Sequence, residues 1–241
     1  MKRTVTIAGL LVLLTALWGV GAAAAQEDEC FQVGGQWDSA QEQCVQTGTI
    51  KIKIFYPLEL TRHEVVKEAV DAYLDGARAA FLQPIADYGL SPSPGPLELD
   101  IQYELFSFSP SVIGIKFTAY EFTGGAHGMT TFQTLTFDLD AGRLLTLDDL
   151  FVPGTNPLAT IAPLAQASLT EQLGDIADAD WIAQGTSPDP VNYQDWLLTP
   201  DALVLLFEQY QVVFYAAGSQ TVSIPLTEIA GLLAPQFQPV Q

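Results

Sequence analysis

The chain is poor in the residues that build most enzyme and metal sites. Its 241 residues include two cysteines, two histidines and nine lysines or arginines, against 28 aspartates and glutamates. This excess of negative charge would repel phosphates, which excludes a nucleic-acid-binding role. No Gly-x-Ser-x-Gly elbow, Walker loop or His-Glu-x-x-His helix is present, so the sequence predicts neither a cofactor nor a metal site.

Long apolar runs are also scarce. The one at residues 7–20 follows Met1-Lys2-Arg3 and precedes the small residues 21–25. This layout predicts a secretory signal peptide over residues 1–25, cleaved before Gln26. The alternative is an uncleaved anchor, but the run is shorter than the roughly 20 residues that a membrane span needs. We therefore expect a secreted or extracytoplasmic protein with no membrane span in the mature chain.

The two cysteines, Cys30 and Cys44, favour a disulfide in an exported chain. Such a bond would staple residues 26–48 as a small N-terminal appendage, with a hairpin turning at Gly34-Gly35. Closing a loop of this size stabilises the fold by about 3 kcal/mol. The alternative is a two-cysteine metal site, but no histidine lies nearby and two thiolates seldom suffice.

The net charge indicates what the protein can attract. It is −19 for the whole chain, and it becomes −21 when Lys2 and Arg3 leave with the signal peptide. Such a charge would steer a cationic protein, peptide or metal ion toward the surface. The alternative is a general acidic coat that keeps an exported protein soluble.

Beyond residue 49 the sequence alternates between strand and helix patterns. Ile50, Ile52 and Ile54 alternate with other residues and predict a strand. Thr61-Arg62-His63-Glu64 has the form of a capping box, and helical spacing of apolar residues continues to about Pro84. Further strands are predicted at 97–105, 112–122, 129–137, 196–198, 203–207, 211–215 and 221–224. Helices are predicted at 158–173 and from Pro225, and a helical turn at 147–151. Residues 175–191 are predicted to be irregular.

These elements predict an α+β domain over residues 49–235, with a short tail at 236–241. Strands joined directly should be antiparallel, so we expect an antiparallel β-sheet covered by the two main helices.

The glycine-rich segment Tyr120-Glu121-Phe122-Thr123-Gly124-Gly125-Ala126-His127-Gly128 joins two of these strands. Glycine permits backbone angles and close approaches that other residues forbid. The segment is therefore interpreted as a tight strand connection, a surface that contacts a partner, or the seat of a reactive histidine. The strand connection, with His127 bonded locally, is the preferred interpretation.

A catalytic site has little support in the sequence. His127 is the one strong candidate for a general base, and no second catalytic group accompanies it at a fixed spacing. Phe137-Asp138-Leu139-Asp140 is superficially like the acidic signature of polysaccharide deacetylases, but no His-x-x-x-His follows to complete a metal site. Asp138 and Asp140 are expected to end a strand and start a turn. We predict no catalytic and no metal-binding residues.

The same segment carries a family resemblance. Residues 120–128, followed by Phe137-Asp138 and Leu147-Asp148-Asp149-Leu150-Phe151, resemble the signature of the RsiV-like extracellular domain. The family's closing strands and last helix are similar to a C-terminal set of residues in this chain: Pro200-Asp201-Ala202-Leu203, Phe207, Tyr210, Tyr215, Gly218 and Ile224-Pro225-Leu226. The resemblance implies an α+β domain of extracytoplasmic proteins. In its best-known member this domain is the receptor part of an anti-sigma factor and binds lysozyme, and related domains precede peptidoglycan deacetylases.

The resemblance implies an exported, non-catalytic binding module for a cationic cell-wall-active protein such as lysozyme, or for cell-wall glycan. The alternatives are a cell-wall hydrolase that uses His127 and a structural or stress-protective envelope protein. The candidate partner-contact residues are Tyr120, Thr123, Gly124, Gly125, His127 and Gly128.

Overall fold

The computed structural model describes residues 36–40, 43–45, 50–88 and 96–239. The predicted signal peptide and Cys30 lie outside the described residues. In the part of the chain that the structure describes, no helix is long and apolar enough to cross a membrane.

The larger sheet contains seven strands, which lie side by side in chain order. Every neighbouring pair is antiparallel except β3 and β4, which are parallel. The prediction of a wholly antiparallel sheet is therefore wrong. The strands are β1 (Gln36–Asp38), β2 (Gln43–Val45), β3 (Ile50–Phe55), β4 (Leu97–Ser107), β5 (Val112–Phe122), β6 (Met129–Asp138) and β7 (Arg143–Leu145).

The parallel pair follows from the helix between its strands. Helix α1 (Glu64–Tyr88) returns the chain across one face of the sheet, so β4 starts at the same end as β3. A parallel pair needs such a crossover, which strand patterns alone do not reveal. The helix packs its apolar stripe on the odd-numbered face of β4 and β5; the buried residues here include Val66, Val70, Phe81, Leu99, Ile101, Ile115 and Phe117.

Both predicted ends of this helix are shifted. The helix begins at Glu64, and the Thr61 hydroxyl donates to the Leu58 carbonyl at 3.3 Å instead of forming the predicted capping box. At the other end the helix continues past Pro84 to Tyr88.

A smaller sheet forms a second layer. Its order is β10-β9-β8, all antiparallel, and it has a core of its own. Helix α2 packs on β10, so the two main helices cover different sheets and the predicted single sheet is wrong. We call the elements up to β7 the first half of the molecule and those after it the second half. The second half contains α2 (Leu158–Leu173), α3 (Ala179–Gly185), β8 (Trp196–Leu198), β9 (Ala202–Phe207), β10 (Gln220–Pro225) and α4 (Leu226–Ile229).

Two segments of this half differ from prediction. Residues 175–191, predicted to be irregular, contain α3, whose N-cap Asp178 accepts from the amides of Asp180 and Trp181. The strand predicted at 211–215 is absent from the structure, although Val212 and Val213 are buried. Buried apolar residues produced the strand pattern, but tertiary packing places them in a turn that leads into β10.

The N-terminal hairpin is part of the large sheet and not a separate appendage. Strands β1 and β2 pair with Trp37 opposite Cys44, and β2 then pairs with β3. The chain reverses between Asp38 and Gln43, and the predicted turn at Gly34-Gly35 lies outside the described residues. No described cysteine is a free thiol. The Cys30–Cys44 disulfide stays a prediction.

The exposed edge of β6 joins the two halves of the molecule. Strand β7 pairs with β6 only at Thr136–Asp138, which leaves the earlier edge amides of β6 without a strand partner. Three side chains from the second half accept hydrogen bonds from these amides, each at 3.0 Å. We call Asp195, Glu208 and Gln209 the edge clamp. The pairs are Thr130 with Gln209, Phe132 with Glu208 and Thr134 with Asp195.

The clamp brings two carboxyl groups together in a partly buried place. Burial, and to a smaller extent the charge of Glu208, raises the pKa of Asp195 to about 6, although hydrogen bonds from Thr134 oppose the shift. The folded protein therefore holds this proton more tightly than the unfolded chain does. The resulting stabilisation is complete below about pH 4 and is lost as the pH rises through about 6.

We predict that Asp195→Asn removes this pH dependence. Asparagine keeps a carbonyl oxygen for the Thr134 amide but carries no charge next to Glu208. At pH 8 the variant should be more stable than the wild type, by up to about 3 kcal/mol for a shift of about two pKa units. Urea denaturation at several pH values between 4 and 8 measures this. Asp140→Asn, on an exposed turn, is the control; a less stable Asp195→Asn at pH 8 would contradict the prediction.

Candidate functional site

The glycine-rich loop connects β5 to β6 directly. These strands form a continuous antiparallel ladder that ends with Glu121 opposite Met129, and residues 123–128 make the connection. Gly124 and Gly125 have φ angles of +106° and +95°, in a region that side chains disfavour. The two glycines are therefore required by the shape of the turn.

Gly128 supports the ring of Tyr120. A Cβ atom at Gly128 would lie 2.5 Å from Cε2 and Cζ of Tyr120 and 2.6 Å from the Glu121 carbonyl oxygen. Only glycine leaves room for the ring at this place. The last residue of the motif, Gly128, therefore makes room for the ring of its first residue, Tyr120, which is 37% exposed.

His127 is bonded locally, through the same glycine. Its Nδ1 lies 3.1 Å from the Gly128 carbonyl oxygen, which also accepts a 2.7 Å hydrogen bond from the Tyr215 hydroxyl. The His127 ring stacks on Tyr215, with 4.0 Å between centroids and 26° between planes. A carbonyl only accepts, so the bond requires the hydrogen on Nδ1 and leaves Nε2 as the unprotonated nitrogen of the neutral ring.

A third aromatic ring extends this stack. Tyr210 lies 5.6 Å from Tyr215 between centroids, and its side chain is 47% exposed. Its φ angle of +68° is unusual for a residue with a side chain and costs on the order of 1–3 kcal/mol. The Trp181 indole donates to the Tyr210 carbonyl at 2.9 Å and helps to hold this conformation. We call Tyr210, Tyr215 and His127 the aromatic column.

On the other side of Tyr120 lies a polar depression in the sheet. It has a volume of about 330 Å³ and lies on the even-numbered face of β4, β5 and β6. The small sheet covers this face farther along β5, where Gly114 lies against Leu197. We call the depression the acidic groove; its lining residues are Glu98, Asp100, Gln102, Thr118, Tyr120 and Thr130.

The strand register sets the chemistry of the groove. Asp100, Tyr120 and Thr130 lie side by side across the three strands. Asp100 accepts a 3.2 Å hydrogen bond from the Gln102 amide and lies 3.7 Å from the Lys53 ammonium. Glu98 has no ion-pair partner among the described residues. The groove thus offers one aromatic face, carboxylate and hydroxyl oxygens, and a net negative charge.

Among the described residues, the fold brings no catalytic partner next to His127. Within the described residues, neither a hydroxyl nor a carboxylate group hydrogen-bonds to its ring. No group of three or more histidine, cysteine, aspartate or glutamate residues could hold a metal ion in that part of the chain. Asp138 ends β6 and accepts from the Ala141 amide at 2.9 Å, as expected for a turn.

The structure brings some of the predicted contact residues together and adds others. Tyr120, His127 and Gly128 meet at one point, while Gly124 and Gly125 shape the turn. Partner contact by these residues and Thr123 stays a prediction. Sequence reasoning did not include Glu98, Asp100, Tyr210 or Tyr215 among the site residues. The strand alternation around Asp100 and the two tyrosines quoted in the family resemblance were the available signals.

Two family profiles match the chain. The profile described as deacetylase PdaC matches residues 43–130, and the profile of a protein of unknown function, DUF3298, matches residues 148–227. The first match runs from β2 through the loop to the start of β6, and the second covers most of the second half. The link to the RsiV-like domain in particular stays a prediction.

Curated relatives are similar over most of the chain. The peptidoglycan-N-acetylmuramic acid deacetylase PdaC of Bacillus subtilis is 24% identical over 78% of this chain, but the match spans only 40% of the deacetylase. The immunogenic protein MPT64 of Mycobacterium tuberculosis is 26% identical over 92% of this chain and 95% of its own length. Esterase Rv3036c of the same organism is 26% identical, over 96% of this chain and 99% of the esterase.

Solved structures show the same fold. A DUF3298 family protein from Pseudomonas aeruginosa superimposes with a TM-score of 0.58 at 21% identity, covering 83% of this chain and 90% of its own. A DUF3298 family member from Bacteroides fragilis gives 0.51 at 17% identity, with 82% and 87% covered. At these identities the likeness shows the fold alone.

We predict that Gly128→Ala destabilises the protein and displaces the Tyr120 ring. The new methyl group would overlap both the ring and the Glu121 carbonyl, and such overpacking costs about 1–3 kcal/mol. Urea denaturation measures the loss, and the near-ultraviolet circular dichroism reports the ring. Gly76→Ala is the matched control, because a Cβ atom at this α1 position has nothing within 4 Å. That control should stabilise the helix; an equally benign Gly128→Ala would contradict the prediction.

Proposed function

We propose that the protein is an exported, non-catalytic binding module that recognises a basic protein acting at the cell wall. One observation carries the proposal: the acidic groove presents carboxylates beside a half-exposed tyrosine, Tyr120, that packs on Gly128. Tyrosine is enriched among the residues that dominate binding energy at protein interfaces. A ring already held in place loses little conformational entropy on binding.

Electrostatics favours a cationic partner over an anionic one. The chain carries a net charge of −19, and the two carboxylates of the groove add a local negative potential. Opposite charge raises the rate of encounter between two proteins and suppresses wrong partners. An arginine or lysine side chain would find both a carboxylate and an aromatic face here.

The aromatic column extends the same surface. Tyr215 and Tyr120 both contact Gly128, one by a hydrogen bond to its carbonyl and the other by packing on its Cα. The strained, exposed Tyr210 continues the column toward solvent. Strain of this kind clusters at functional sites, because the surrounding structure must hold it in place.

The names of similar proteins support a role at the cell wall. One is named as a peptidoglycan deacetylase, and this chain matches only part of it. We infer that the shared part serves in binding at the wall. The predicted signal peptide and the predicted Cys30–Cys44 disulfide suit the same exported location.

We predict that the protein binds hen lysozyme, used as the basic probe, in about 20 mM salt and loses most of this binding in about 500 mM salt. Isothermal titration calorimetry measures the affinity. Tyr120→Ala and Asp100→Asn should each weaken binding about tenfold or more, since each removes a group at the centre of the groove.

The control for this titration is Glu171→Gln, an exposed carboxylate on α2 away from the groove. It removes the same charge and should change the affinity less than twofold. Absence of lysozyme binding at low salt would overturn the choice of partner. Binding of soluble peptidoglycan fragments that depends on Tyr120 would assign the groove to the glycan instead.

A hydrolase is the second candidate function. It is favoured by the similarity to an esterase over nearly the whole of both chains and by the geometry of His127, whose Nε2 is the acceptor nitrogen of the neutral ring. Such a site would also need a nucleophile, and none is bonded to His127 among the described residues.

We predict that the wild-type protein does not turn over p-nitrophenyl acetate or butyrate above the background rate. Spectrophotometric assays of the wild type, His127→Ala and His63→Ala decide between the two functions. His63→Ala is the control, because it removes the only other histidine, which lies just before α1. Turnover that is lost in His127→Ala and kept in His63→Ala would establish the hydrolase.

A further inference from the structure

A second cavity lies on the opposite face of the strands that form the acidic groove. It lies between α1 and the ends of β4, β5 and β6, opens to solvent beside the exposed Ala80, and has a volume of about 310 Å³. This is at the lower end of the roughly 300–1,000 Å³ of small-molecule sites. The lining residues are Tyr73, Ala77, Ala80, Leu99, Ala119, Glu121, Met129, Thr131 and Phe132.

Small side chains create the space. Ala77 and Ala80 on α1 face Ala119 on β5, so neither the helix nor the sheet fills the volume between them. The neighbouring part of the interface is closely packed, with the ring centroids of Tyr73 and Phe117 4.9 Å apart. The cavity is therefore a local gap at the end of a well-packed interface.

One carboxyl group faces this apolar space without a partner. Glu121 forms the last rung of the β5–β6 ladder opposite Met129. Among the described residues it makes no hydrogen bond through its side chain and no ion pair. Partial burial raises its pKa above the ordinary value of a glutamate. A partly buried charge without a partner is less stable than a paired one, and a ligand that supplies the partner recovers part of that cost.

The other polar end of the cavity is also negative. Burial, with smaller contributions from the charges of Asp195 and Glu208, raises the pKa of Tyr73 to about 12. The edge clamp thus adds negative potential near the Tyr73 hydroxyl. No lysine or arginine lines the cavity in the described part of the chain. Anionic ligands such as fatty acids are therefore disfavoured.

We infer that this cavity binds a small primary amine with an apolar body, whose ammonium group pairs with Glu121 while its carbon chain lies against Ala77, Ala119 and Met129. The aromatic face of Tyr73 offers the ammonium a second favourable contact. A neutral apolar ligand would fill the space but leave Glu121 unpaired. The site is independent of the function proposed above, because it lies on the other face of the sheet from the acidic groove.

The test is a titration of the full-length protein, labelled at its alanine methyl groups, with n-hexylamine, 1-hexanol and hexanoate, followed by nuclear magnetic resonance. Hexylamine should shift the signals of Ala77, Ala80 and Ala119 in a saturable way, while the signal of Ala162 in the other core stays unchanged. Hexanol should bind about tenfold or more weakly, and hexanoate should not bind at the cavity. Equal binding of amine and alcohol, or any preference for hexanoate, would overturn the inference.

Two variants separate the charge from the shape of the site. Glu121→Gln keeps the size of the side chain and should weaken hexylamine binding at least tenfold. Its matched control is Glu171→Gln, an exposed glutamate on α2 that should change the affinity less than twofold. Ala80→Trp fills the cavity from an exposed helix position and should abolish binding of both amine and alcohol. Unchanged hexylamine binding in either Glu121→Gln or Ala80→Trp would refute the site.

Discussion

The free edge of β6 is the constraint on which the rest of the structure depends. A strand that lies inside a sheet must have its amides bonded, but β7 covers only the last residues of β6. Asp195, Glu208 and Gln209 complete the edge with side-chain oxygens, and each accepts a hydrogen bond from one amide, so that every second amide from Thr130 to Thr134 is bonded. The same bonds attach the second half of the molecule to the first. They have an electrostatic cost, because two carboxyl groups are brought together where water has little access.

The edge clamp also explains why the surface near the loop is rich in aromatic residues. Residues 208–211 form the turn after β9, and the hydrogen bonds of Glu208 and Gln209 hold this turn against β6. Tyr210 is thereby presented in a strained conformation, and Tyr215 reaches the Gly128 carbonyl. The loop from the first half and the tyrosines from the second half become one surface. Two neighbouring residues of the motif lie on opposite faces of the large sheet. Tyr120 lines the acidic groove, and Glu121 lines the cavity beneath α1.

Local patterns predicted the elements well where neighbours along the chain decide the structure. The strands that flank the loop, the helix at 158–173 and the turn at 147–150 lie where alternation and helical spacing place them. The patterns failed where distant parts decide. Val212 and Val213 look like a strand but are buried in a turn, and the parallel pairing of β3 with β4 depends on the crossover of α1. Only part of the candidate site could be predicted from the sequence. The glycines and His127 are contiguous in the chain, whereas Asp100 and Tyr215 come from separate segments that only the fold brings together.

By itself, the sequence determined the acidic charge, the position of most helices and strands, and the need for glycine in the loop between β5 and β6. These properties follow from side-chain chemistry and from local backbone preferences. Only the tertiary structure decided that the chain forms two sheets, that Gly128 supports Tyr120, and that Glu121 is left without a partner beside an empty volume. Each of these depends on atoms brought together from residues far apart in the chain, and no local pattern records which of them will meet.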